Sequence, residues 1–175
     1  MDKSFYAAKR DYLFVDGYNV LHQWERYASL LDEDLERARL AIMEDLAEYA
    51  HLTGQVIILV FDGYQVKKNP GEEFSYKGIT VVFTKEFETA DHFIEKELQK
   101  VGRHRNVRVA TSDALEQSIV LASGGRRMSA RELEYALVEA RATMRRAHQN
   151  DPKNLTHFDD ETLEGLLRFR EDLGE

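Results

Sequence analysis

The chain has 175 residues, no cysteine, 43% hydrophobic residues and a formal net charge of −8. That length supports one domain with a full core, the lack of cysteine excludes disulfides and thiolate metal sites, and the acidic surplus excludes a bulk electrostatic grip on nucleic acid. The longest apolar run covers residues 56–61, far too short to span a bilayer, and no stretch has the make-up of a signal peptide, so a cytoplasmic protein with no membrane partner is expected.

Residues 1–10 are polar and expected to be a mobile end. Residues 12–15 form a short apolar run, the first predicted strand, which leads into Asp16-Gly17-Tyr18-Asn19. A buried strand would hold the Asp16 carboxylate rigidly at its end. Gly17 is expected to turn the chain and let backbone approach a ligand, and Asn19 brings a neutral amide within reach of the carboxylate. A loop with Trp24 and Tyr27 follows. The next helix is predicted over about 34–52, with Leu35, Ala38, Ile42, Leu46 and Tyr49 on one face. Gly54 has the place of its C-terminal cap.

Residues 55–62 are apolar throughout rather than alternating, which predicts a strand buried on both faces of a parallel sheet. Residues 63–78 are expected to be the longest loop and the one that moves. A third strand is predicted over 79–83 and a helix over 90–101, with Ala90, Ile94, Leu98 and Val101 facing inward. A fourth strand takes 107–111, and a short helix about 114–122 is broken by Gly124-Gly125. Ser129 and Glu132 have the offset of a capping box, opening a helix to about His148 with Leu133, Leu137 and Met144 inward. Asp151-Pro152 marks a boundary before a last short helix within 159–172. The expected organisation is an extension at 1–11, an α/β domain at 12–149 and a tail at 150–175.

Strands alternating with helices predict an α/β fold with a mainly parallel sheet, whose ligands bind beyond the carboxyl ends of the strands. Asp16, Asp62 and Asp113 sit at three such ends. Glu88 and Asp91 lie three apart at the start of a helix, where they share a face and where the helix dipole favours their charged forms. Carboxylates gathered at one rim repel one another unless a cation joins them. Oxygen donors without cysteine or paired histidine select Mg²⁺ or Mn²⁺ over zinc. A carboxylate-held divalent ion suits phosphodiester hydrolysis, since it polarises phosphate, activates water and stabilises the leaving oxygen. A phosphate-binding P-loop and a Gly-x-Ser-x-Gly elbow are both missing from the sequence.

Each of these residues also has a plainer account. Asp62 before Gly63 has the form of a turn, Asp113 with Glu116 that of a helix cap, and Glu88 that of a dipole partner. Tyr18 is suited either to packing or to stacking on a base. The six histidines lack metal-ligand spacing. Charge is unevenly spread: residues 101–149 carry nine arginines and five acids, while residues 1–100 carry −7 and residues 150–175 carry −5. Lys85, Arg126, Arg127 and Arg131 are therefore candidates for holding RNA phosphate, against pairing with Glu132 and Glu134 on a solvated helix face.

Val-Asp-Gly-Tyr-Asn at 15–19, Val-Phe-Asp at 60–62, Phe-Thr-Lys-Glu at 83–86, Glu-Thr-Ala-Asp at 88–91, Ala-Thr-Ser-Asp at 110–113 and Ser-Ala-Arg-Glu-Leu at 129–133 occur in that order. Together they resemble the YacP-like NYN-domain proteins, relatives of PIN-domain ribonucleases, over roughly residues 12–148. The resemblance implies a PIN-like three-layer α/β sandwich and a metal-dependent endoribonuclease. The family includes a ribosome-associated nuclease that cuts messenger RNA in the decoding A site. Carried onto this chain, the resemblance makes Asp16, Asp91 and Asp113 the acidic catalytic and metal positions. Asn19, Asp62 and Glu88 are flanking members of the motifs. The expected protein is a monomer that works on mRNA with Mg²⁺ or Mn²⁺ at the ribosome. The alternative is an RNA- or ribosome-binding module that keeps the fold without the chemistry. A haloacid-dehalogenase-type phosphatase ranks last, because Asp16-Gly17-Tyr18 lacks the second aspartate of Asp-x-Asp.

Overall fold

The computed structural model describes residues 1, 5–6, 10–63, 70–101, 106–111 and 125–149. Asp113, the short helix expected near 114–122 and the tail helix lie outside the described residues. The chain divides into two compact units, Met1–Ala140 and Arg141–Glu175. The sheet and the cavity below belong to the first; of the second, residues 141–149 are described, and they are helical.

Six strands form one sheet: β1 (Tyr12–Asp16), β2 (Val56–Phe61), β3 (Glu72–Tyr76), β4 (Ile79–Phe83), β5 (Val107–Ala110) and β6 (Arg126–Met128). Their order across the sheet is β3-β4-β2-β1-β5-β6, all parallel except β3, which runs antiparallel to β4. The chain builds outward from β1 to β2 and β4 on one side, then returns to lay β5 and β6 on the other. The strand order thus reverses beside β1, and a crevice at the carboxyl end of that strand follows from this topology.

The helices among the described residues are α1 (Gly17–Gln23), α2 (Ala28–Glu33), α3 (Leu35–Thr53), α4 (Ala90–Val101) and α5 (Ala130–Gln149), with a 3₁₀ turn at Glu25–Tyr27. Alternation along β1 sends Leu13 and Val15 to one face and Tyr12 and Phe14 to the other. The first pair joins a core with Ile42 and Leu46 of α3 and Leu133 and Leu137 of α5. The second pair joins Ile94 and Leu98 of α4. The result is the expected three-layer α/β sandwich.

Helix α3 begins where Asp34 accepts from the N–H groups of Glu36 and Arg37 and ends at Gly54, which is left-handed at φ 69°. Ser129 and Glu132 form the reciprocal capping box at the start of α5.

The structure corrects four expectations. Part of the expected 63–78 loop is strand β3, joined to β4 by a tight turn with Lys77 at φ 44° and Gly78 at φ 92°. The segment after Asn19 is helical rather than a loop, because Asp16 caps α1 directly. Met144, which belongs to the second unit, is exposed rather than inward. Tyr6 is buried, against the expected mobile end: its ring packs on Tyr12 and Phe14, and its hydroxyl donates to the buried Glu97 at 2.8 Å.

Candidate functional site

A cavity of about 550 Å³ lies beyond the carboxyl ends of β1 and β2. Asp16, Tyr18, Asn19, His22, Asp62, Phe87, Glu88, Thr89, Ala90 and Asp91 line it. Five of the six predicted catalytic residues are therefore brought together, from three separate stretches of chain. Asp113 lies outside the described residues.

Each carboxylate is positioned by its local structure. Asp16 is the last residue of β1 and the N-cap of α1, with Oδ1 accepting from the Asn19 N–H at 3.0 Å. It is thus the Asn19 backbone N–H that reaches the carboxylate. The glycine after Asp16 serves packing rather than ligand approach. A Cβ on Gly17 would stand 2.4 Å from the Phe61 ring, so only glycine lets α1 start this close to β2. Asp62 follows β2, the strand beside β1. Thr89 opens α4 by accepting from the His92 N–H at 3.2 Å, which puts Asp91 in the first turn. Glu88 lies just before that cap and meets Lys96 at 3.6 Å.

Burial raises the Asp16 pKa from 3.8 to about 6; the Asn19 N–H opposes this shift, while the nearby charges of Asp91 and Asp62 add to it. The crevice therefore holds negative charge at a cost that a cation would relieve. Among the described residues no three His, Asp or Glu side chains stand close enough to hold a metal. Mg²⁺ needs only one or two direct carboxylates and keeps its waters. Asp16, Asp62 and Asp91 line one cavity and offer only oxygen donors, the ligand type that Mg²⁺ and Mn²⁺ take.

The predicted basic residues do not join this cavity. Lys85 is exposed on the turn after β4. Arg126 and Arg127 are exposed on β6, two strands from β1, with Arg126 level with Arg108 and Arg127 with Val109. Arg131 is exposed in the first turn of α5.

Other contributors escaped the sequence reading. Arg39 is 5% exposed, and its guanidinium lies over the rings of Tyr18 and Phe83 at 5.4 Å. It donates to the Tyr18 hydroxyl at 3.0 Å and pairs with Glu36. Tyr18 is held by this cation and by the Phe61 ring, 5.3 Å away, so the packing account of Tyr18 describes these contacts, although the residue also lines the cavity. The available signal was a charge in the run Leu35, Arg39, Ile42, Leu46, at otherwise apolar helical spacing. Thr84 is buried; its hydroxyl accepts from the Gly63 N–H at 2.8 Å and donates to the Glu88 carbonyl, tying the end of β2 to the turn before α4.

Comparison with known proteins adds to this geometry. Residues 13–171 match the family model of the YacP-like NYN domain. The chain is 35% identical over 165 residues to YacP of Bacillus subtilis strain 168, a protein described as uncharacterized, covering 91% of this chain and 96% of that one. The crystal structure of Rae1 (YacP) from Bacillus subtilis is similar with a TM-score of 0.68 and 34% identity, over 92% of this chain and 95% of that chain. A point-mutant form of the same protein gives 0.65 and 35%, over 90% and 91%.

Proposed function

Because the chain belongs to the YacP-like NYN domain family, we propose that it is a divalent-metal-dependent endoribonuclease that cuts messenger RNA in association with the translating ribosome. The observation that carries this reading is the cavity at the reversal of strand order, where Asp16, Asn19, Asp62, Glu88 and Asp91 converge. A pure binding module gains nothing from such repulsion, whereas a phosphodiester hydrolase puts it to use.

Asp16 and Asp91 would hold the ion, together with Asp113. Bound there, Mg²⁺ or Mn²⁺ supplies Lewis acidity toward phosphate and a more acidic water. The chain's own residues do the rest. Asn19 fixes Oδ1 of Asp16 through its N–H, so the carboxylate cannot swing away from the cavity. Lys96 pairs with Glu88 and offsets part of its charge. Arg39 and Phe61 hold Tyr18 as one wall. Burial and the charges of Asp91 and Asp62 raise the Asp16 pKa to about 6, a strain that a divalent ion held there would relieve.

RNA is the proposed partner and the ribosome the proposed platform. Among the described residues no helix is long and apolar enough to cross a membrane, and we place the protein in the cytoplasm as a monomer. The test is incubation with translating ribosomes and a defined message, with Mg²⁺ or with chelator, followed by mapping of new RNA ends. New ends that need both the divalent ion and Asp16 are expected. RNA or ribosome binding without new ends would leave the binding-module reading in its place.

A further inference from the structure

We propose that Phe87 is a stacking platform for the nucleobase adjoining the phosphate that the carboxylate cavity takes, and so holds single-stranded RNA at the site without reading its sequence. This rests on the nuclease reading above and adds to it a contact for the base of a single strand.

Phe87 is 83% exposed, more than any other large hydrophobic among the described residues. Unlike Leu40, Tyr135, Val138 and Met144, it also lines the cavity. Its backbone is left-handed at φ 70°, a conformation suited to glycine or asparagine and costly for a bulky ring. The ring thus gives up burial and accepts backbone strain at once. Such combinations persist where surrounding structure enforces them, and they cluster at ligand sites.

The enforcement is visible. The Glu88 N–H donates to the Lys85 carbonyl at 3.0 Å, closing the turn that carries Phe87. Buried Thr84 ties the far side of that turn to Gly63 at the end of β2. There is no slack at the tie, since a Cβ on Gly63 would stand 1.8 Å from the Thr84 carbonyl oxygen. The exposed ring is therefore held on a braced turn, one residue before Glu88 and four before Asp91.

The chemistry of the substrate explains why a ring is useful here. An acid-lined cavity in a protein of net charge −8 repels phosphate, so a contact that does not depend on charge adds affinity where the net charge supplies none. Every nucleobase has a π face, and stacking on an aromatic side chain is tolerant of sequence. Lys85, two residues earlier and exposed, is available to the backbone of the same nucleotide.

The experiment measures binding of a fluorescein-labelled ten-nucleotide single-stranded RNA by anisotropy in Mg²⁺. All proteins carry Asp16→Asn, so that the RNA stays intact. Adding Phe87→Ala should raise Kd about tenfold, Phe87→Leu should fall between, and Phe87→Trp should bind at least as tightly as Phe87. One abasic nucleotide in the decamer should reproduce the loss and erase the difference between the Phe87 and Phe87→Ala proteins. Phe87→Gly should weaken binding while leaving the thermal midpoint unchanged or higher, because the left-handed strain is gone. Equal binding by the Phe87 and Phe87→Ala proteins, no sensitive abasic position, or no measurable binding of the decamer by the Phe87 protein would overturn the proposal. In a parallel cleavage assay on proteins that keep Asp16, cutting that ignores Phe87 removes the platform alone. Phe87-dependent binding by a protein that never cuts removes the nuclease reading alone.

Discussion

Asp16 must carry charge where burial and two neighbouring carboxylates oppose it. Its folded pKa of about 6 lies above the ordinary 3.8, so the folded protein binds this proton more tightly than the unfolded chain does. The associated stability is full below pH 3.8 and is lost as the pH rises through about 6. Asp16→Asn keeps the shape and the helix cap while removing the charge. In chelator the variant should match wild type near pH 4 and be more stable by about 1–3 kcal/mol at pH 7.5, a range reduced for the part-exposed carboxylate. Denaturant titrations at the two pH values measure this, and a pH-independent difference would show that the carboxylate is not strained. The same variant should lose nearly all cleavage. A folded Asp16→Asn protein that cuts at the wild-type rate would remove Asp16 from catalysis.

The site is carried by the junction of β1 with α1, which makes Gly17 the test position at the level of elements. Gly17→Ala places a methyl against the Phe61 ring, which is fully buried and cannot retreat. A cost of about 1–3 kcal/mol is expected, the range for overpacking a filled core. Cleavage should fall with it, because α1 cannot shift without moving Asp16 and Asn19. Chemical denaturation and end mapping on one preparation would check both, and unchanged values would mean that the ring gives way. The N-terminal segment offers a second test. Tyr6→Phe leaves buried Glu97 with Lys100, at 2.6 Å, but without the tyrosine hydroxyl. That should destabilise by about 1–3 kcal/mol without changing cleavage, as read by melting and end mapping. Elements bounded by strong apolar spacing, such as β2, β4, α3 and α4, were legible in the sequence. Strand β3 was not, because Glu-Glu-Phe-Ser-Tyr is an edge strand with largely exposed residues, and β6 is three residues that exist only by pairing with β5. Helix α1 was hidden because Asp-Gly-Tyr-Asn reads as a turn until Asp16 is known to cap it. The acids at strand ends announced themselves by position. Arg39 and Phe87 did not, since one depends on rings from β2 and β4 and the other on a turn braced by a contact between Gly63 and Thr84.

At the scale of the whole molecule the open matter is how an acidic protein gathers an acidic substrate. Net charge gives no attraction, and the cavity itself repels phosphate, so positive charge must act locally. The sheet order puts Arg126 and Arg127 on the far strand β6, with β5 between them and β1. From the register, with about 4.8 Å between strands and 3.3 Å per residue, these backbones lie about 12–14 Å from that of Asp16. On the proposed nuclease reading, such arginines would meet substrate outside the cavity, on flanking RNA or on a larger partner. The acids expected to neutralise them are partly committed elsewhere. Glu132 is engaged by the Ser129 N–H and hydroxyl, although the charge of Arg127 also helps hold its pKa low, and Glu134 lies 3.9 Å from Arg26. Replacing Arg126 and Arg127 with alanine should therefore weaken RNA or ribosome binding and flatten its salt dependence. If both touch single-stranded phosphate, the slope of log K against log salt should shrink by about 1.4. Divalent-ion binding, followed by calorimetry, should stay as it was, because neither residue lines the cavity. Unchanged ribosome binding with an unchanged salt slope would make this edge a solvated face, and would leave Lys85 and Arg131 to hold the RNA.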